Sequence, residues 1–175
     1  MGDEPKMLTP REVADALGAM AVIVRTELTA LPDQLLAWHP APGEWCVKEA
    51  LGHLIEAEQR GFAGRIRIIL ADDEPEFVAW DQVAVERARN DCARDLTDLL
   101  DEFTQIRGES RNLVFGLTDA DLQRGGMHPQ VGYLQVNDLL HEWVYHDRNH
   151  VRQMFANLQR YVFPNMGNCQ GFVGE

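Results

Sequence analysis

With 175 residues, 45% of them hydrophobic and 25% charged, the chain has the size and make-up of one globular domain able to bury a substantial core. A balance of 28 acids to 16 Lys plus Arg gives a net charge of −12, which repels phosphate backbones and anionic lipid surfaces, and no dense basic cluster overrides that field. Nucleic acid and membranes are therefore not expected partners.

Met1 to Thr9 lacks the apolar core of a signal peptide, and no stretch reaches the length of a membrane span, so the expected compartment is the cytoplasm. Thr9-Pro10-Arg11-Glu12 joins an N-cap, a first-turn proline and a capping-box acid. It predicts a first helix from about Pro10 to Ala30, with Val13, Leu17, Met20, Val24 and Leu28 as its apolar stripe and Pro32 ending it. Pro32, Pro40, Pro42 and Gly43 then forbid regular helix up to Cys46, while Trp38 and Trp45 demand burial, so an ordered loop lies over the core.

Val47 to about Ala71 predicts a second helix, with Val47, Leu51, Leu54, Glu58, Phe62, Arg65 and Ile69 along one side. Glu58 and Arg65 interrupt that stripe seven residues apart and face the interior, where charges need partners. Either they form a packing-layer ion pair or they face a substrate. His53 falls on the shoulder, about 120° or more from the stripe centre, between the small Ala50 and Ala57.

Asp72 to Glu76 reads as a solvated acidic turn, and Phe77 to Ala88, with Trp80, as a connection with a helical beginning. A third helix covers about Asp91 to Leu117 on Leu96, Leu99, Leu100, Phe103, Ile106, Leu113 and Leu117. Thr118 to Leu122 is a short capped turn, and Gly125 to Tyr133 a glycine-rich loop in which His128, held extended by Pro129, lies near a pocket mouth. The fourth helix runs from about Gln135 to Val162, and the tail after Phe163 has no helical pattern. The expected fold is all-α: a four-helix bundle with a long connection between helices 2 and 3, no convincing strands, a core from about residue 8 to 163 and an extended tail over 164–175, all in a single domain 1–175.

His146 and His150 stand four apart on the fourth helix, one turn from each other on one face, and can grip one metal ion. Six histidines in a chain of this length yield roughly 0.2 such pairs by chance, so the spacing alone is weak evidence. His53 from the second helix can complete a set of three, which leaves one position for water or substrate. Neutral imidazoles suit zinc, nickel, iron or copper, among which spacing cannot choose, whereas calcium and magnesium want oxygen donors; zinc or nickel is the expected ion. His141 is rotated away and left out. Glu49 and Glu142 each precede a candidate ligand by one turn and are either its hydrogen-bond partners or ordinary exposed acids. The three cysteines, Cys46, Cys92 and Cys169, are widely separated with no Cys-x-x-Cys, so neither a disulfide framework nor a zinc-cysteine site is indicated.

Gly43-Glu44-Trp45-Cys46-Val47-Lys48-Glu49-Ala50-Leu51-Gly52-His53-Leu54 resembles the start of the second helix of DinB/YfiT-like proteins, and His146-Asp147-Arg148-Asn149-His150-Val151-Arg152-Gln153 is similar to their "HDxxHxxQ" helix. The likeness runs through the chain in order to Leu158. It implies a four-helix bundle, often a homodimer, with His53, His146 and His150 as ligands of a divalent transition metal. Characterised members include transferases and isomerases that use low-molecular-weight thiols such as bacillithiol or mycothiol. The resemblance thus implies a metal-dependent enzyme in which a bound thiol attacks a small electrophile, with Arg65 or Arg148 holding an anionic portion of a small-molecule substrate. Metal-assisted hydrolysis, with Glu142 or Glu49 as base, and a non-catalytic metal-binding module are the alternatives.

Overall fold

The computed structural model describes residues 6–173 and shows four long helices in a ring. Helix α1, Pro10–Thr29, starts as the capping box requires: the Thr9 side chain accepts from the Glu12 N–H, and Glu12 closes back on Thr9. After a four-residue helix α2, Asp33–Leu36, the loop leads into α3, Val47–Glu56, a π-helical segment Ala57–Phe62, and α4, Ala63–Ala71. The short helix α5, Gln82–Arg89, and a 3₁₀ turn, Asp91–Ala93, fill the long connection before α6, Leu96–Phe115. Helix α7, Asp119–Leu122, precedes strands β1, Gly125–His128, and β2, Gly132–Gln135, and α8, Val136–Val162, closes the ring.

Helices α1 and α3 do not face each other directly; both pack on α6 and α8, so the order around the ring is α1, α6, α3, α8. The core has two contiguous parts. One gathers Val13, Leu17, Ile66, Leu140 and Trp143 at one end, and the other Val24, Leu51, Ile55, Phe103 and Met154. Trp143 is fully buried and stacks on Phe62 at 5.2 Å and 9°.

Besides α2, which forms in a stretch expected to hold no regular helix, and α5, which lies at the end of its connection instead of the beginning, three features depart from expectation. The glycine-rich loop is an antiparallel hairpin, with Gly125 opposite Gln135 and His128 opposite Gly132, whose positive φ of 83° makes the turn. Its alternation is too short to stand out over four residues. The tail carries 3₁₀ turns at Phe163–Asn165 and Gly167–Phe172 instead of an irregular chain; Gly174 lies outside the described residues. The third departure splits Glu58 from Arg65. The π segment inserts about one extra residue in its turn and rotates the helix beyond it by roughly 100°, so the two charges leave a common face.

Glu58 consequently joins a buried ion triad. Arg107 of α6 reaches Asp147 of α8 at 2.6 Å and Glu58 at 2.9 Å, all three almost without solvent contact. This bears out the packing-layer reading of Glu58, with Arg107 in the place foreseen for Arg65.

Candidate metal centre

The start of α3 is fixed by a second reciprocal cap: the Cys46 side chain accepts from the Glu49 N–H, and the Glu49 carboxylate accepts from the Cys46 N–H at 2.8 Å. That registration sets His53 on the side of α3 facing α8. His146 and His150 meet it from α8, one turn apart. The ring centroids lie 5.1 Å (His53–His146), 4.4 Å (His53–His150) and 4.4 Å (His146–His150) from one another. The Nε2 atoms of His53 and His146 are 3.1 Å apart, and one nitrogen of each ring lies within 4.8 Å of the other two. Trp45 packs 4.8 Å from His53 and 6.0 Å from His150, Trp80 stacks on His53 at 6.3 Å, and Phe62 sets its ring against His146 at 5.1 Å.

Burial, reinforced by the neighbouring imidazoles, lowers His53 to about 3. Burial and then His150 and Arg107 lower His146 to about 4, and burial lowers His150 as well. All three rings are therefore neutral at pH 7. His150 Nδ1 lies 3.0 Å from Gln153 Oε1 and donates to it, which leaves the Nε2 lone pair for the cluster. His146 Nδ1 is buried with no hydrogen-bond partner among the described residues. Three neutral nitrogens converging on one space are the donor set of a divalent transition metal, so these residues fit such an ion and do not fit calcium or magnesium.

The model of the DinB superfamily matches residues 16–154, which takes in all three histidines. The chain belongs to the DinB superfamily. Among known proteins it is 23% identical over 110 residues to YfiT of Bacillus subtilis (strain 168), provisionally named a metal-dependent hydrolase. That match spans 62% of this chain and 61% of the relative. The solved structure of the Bacillus subtilis YfiT, described as having an unusual four-helix bundle topology, superposes with a TM-score of 0.80 at 18% identity, covering 91% of this chain and 93% of that one.

Within this DinB bundle, a cavity of about 390 Å³ opens on the edge formed by His53 and His146. Arg65, His128, Gln130, Trp80, Phe62 and Glu142 are among its walls. The Arg65 guanidinium donates from Nη2 to His128 Nε2 at 3.0 Å; burial lowers Arg65 while the Glu142 charge opposes that shift. One cation, one carboxylate and two aromatic rings thus surround the space beside the imidazoles.

Of the residues singled out in the sequence, His53, His146 and His150 come together, and Arg65 and Glu142 line the cavity beside them. His128 is at the cavity as expected, on a strand instead of a loop. Glu49 does not reach the cavity: its Oε2 accepts from Cys46 and lies 2.9 Å from His39 Nε2. Arg148 is also elsewhere, donating to the Val144 carbonyl on the outer face of α8 beside Tyr145 and Arg152. His141 is engaged away from the site, accepting from the Leu8 N–H at 2.9 Å and bonding the Asn137 carbonyl at 2.8 Å.

Sequence reasoning missed Trp45 and Trp80 as walls, Gln153 as the partner of His150, and Arg107. Gln153 and Arg107 carried a signal: one sits three residues after His150, the other four after the core residue Phe103 and hence on its buried face. Trp80 carried none, because a connection has no period from which to read direction.

Proposed function

We propose that the chain is a metal-dependent enzyme in which His53, His146 and His150 hold a divalent transition metal, zinc or nickel, and a low-molecular-weight thiol attacks a small electrophile in the adjoining cavity. The observation that carries this reading is the convergence of three neutral imidazoles at the edge of a cavity large enough for a small substrate. A three-histidine set leaves a coordination position open, which a purely structural site does not. When bound, such an ion supplies Lewis acidity that lets a thiol or water lose its proton near neutral pH.

The chain's own residues do the rest. Arg65, fixed by His128, offers a positive charge to an anionic part of the substrate. Glu142 lies in the same wall and takes up a proton released in the cavity. Trp80 and Phe62 displace water from the reacting groups and present flat apolar surfaces to them.

Hydrolysis is the second reading, favoured by Glu142 as a base and by the name given to the Bacillus relative. Turnover of an electrophile by metal-loaded protein, assayed with and without added thiol, separates the two. Product formation only when the thiol is present supports transfer. Equal rates without it overturn transfer in favour of hydrolysis.

A further inference from the structure

A second group of donors lies at the start of α3. His39 comes from the loop after α2, Cys46 and Glu49 from the α3 cap, and Cys92 from the 3₁₀ turn that precedes α6. A ring nitrogen, two sulfurs and a carboxylate oxygen all lie within 4.8 Å of one another. His39 Nε2 and Glu49 Oε2 already meet at 2.9 Å, and the Cys92 thiol, beside that of Cys46, donates to the Ala37 carbonyl at 3.4 Å. The turn bearing Cys92 docks tightly on α3: a Cβ on Gly52 would sit 1.7 Å from Asp91 Oδ2, so the absence of a side chain there is what permits the approach.

We propose that His39, Cys46, Glu49 and Cys92 form a second metal site, structural in kind, whose occupant is zinc. Two sulfurs, a nitrogen and an oxygen suit a borderline-soft ion that takes four ligands without geometric preference of its own, and calcium or magnesium would refuse the sulfurs. Bonds of about 2.0–2.3 Å in a tetrahedron bring donors to roughly 3.3–3.8 Å of each other, so the four close in by about 1.5 Å at most. On binding, each thiol loses its proton to solvent and becomes a thiolate ligand, so loading releases protons. With all four positions taken by protein, the ion ties the loop, the α3 cap and the inter-helix turn into one unit. Trp45, adjacent to Cys46, is the ring that rests on His53 and His150, so the second ion steadies a wall of the first site.

This site stands independently of the three-histidine reading, and cobalt distinguishes them. Full-length metal-free protein titrated with Co²⁺ is expected to develop a near-ultraviolet thiolate-to-cobalt charge-transfer band, which a site of three imidazoles cannot produce. The band is expected to persist in His146→Ala, to vanish in Cys46→Ser and in Cys92→Ser, and to bleach on adding zinc. Elemental analysis is expected to find one zinc fewer per chain in each cysteine variant than in the wild type. Wild-type protein that takes up cobalt without a thiolate band overturns the proposal, and so does a band that survives Cys92→Ser. Cys92 is only half-buried, so that variant tests the site even if the fully buried Cys46 resists replacement.

Discussion

Arg107 of α6 donates to Asp147 of α8 at 2.6 Å across the centre of the bundle, one residue along the chain from His146, with both side chains sealed from water. The pair locks the helix that carries two of the three clustered imidazoles. Asp147→Asn removes the counter-charge and leaves a buried guanidinium with less compensation, which is expected to cost about 3–5 kcal/mol. Urea denaturation of the two proteins checks it; a loss under about 1 kcal/mol would show that Glu58 alone neutralises Arg107.

Glu58 has the opposite expectation. It contacts the same guanidinium at 2.9 Å, and burial, against the pull of Arg107, raises it from 4.5 to about 7. The folded chain then keeps a proton that the unfolded chain releases at lower pH. Its contribution is fully present below pH 4.5 and is lost as pH rises through about 7. Glu58→Gln, which cannot release that proton, is expected to gain stability relative to the wild type between about pH 5 and 8. Denaturation midpoints of both proteins at several pH values measure the gap; a constant gap would count against a protonated Glu58.

Metal content should track the three clustered imidazoles and ignore His141, the remaining histidine of α8. In protein purified without a metal-affinity tag, His53→Ala, His146→Ala and His150→Ala are each expected to lose one metal ion per chain. His141→Ala retains it and loses only about 1 kcal/mol from its hydrogen bonds to Leu8 and Asn137. Mass spectrometry under native conditions gives both the stoichiometry and the control.

Arg65 and Glu142 share the cavity and divide the kinetic parameters between them. Arg65→Ala is expected to raise KM for an anionic substrate about 10-fold with little change in kcat, as loss of a charge-assisted contact of about 1.5 kcal/mol implies. Glu142→Gln is expected to lower kcat by roughly 10²–10⁴ with KM nearly unchanged. Steady-state rates over a range of substrate concentrations separate the two, and the reverse split would exchange their roles.

The helical elements were legible because α1, α6 and α8 repeat apolar residues at three and four over twenty or more positions, and capping residues mark the start of α1. The metal candidates were legible in part for the same reason: His146 and His150 share one regular helix, so spacing fixes their relative direction. His53 was harder, since its position on the shoulder of α3 says nothing about which neighbour stands opposite. Glu49 and Arg148 were named by proximity in sequence, yet a side chain one turn or two residues from a candidate ligand can be drawn off by its own partners, as His39 and Val144 draw off these two. The pairing of Glu58 with Arg65 failed because it assumed an unbroken 3.6-residue winding.

That break in winding has an outcome of its own. Everything before Ala57, including His53, is indexed to the bundle through the α3 cap, whereas Arg65 and the cavity wall take their angle from α4. Losing one residue between Ala57 and Phe62 would swing the guanidinium out of the chamber and leave the imidazole seated. The two halves can therefore change separately, the imidazole cluster keeping its seat while the wall beside it retunes what is admitted.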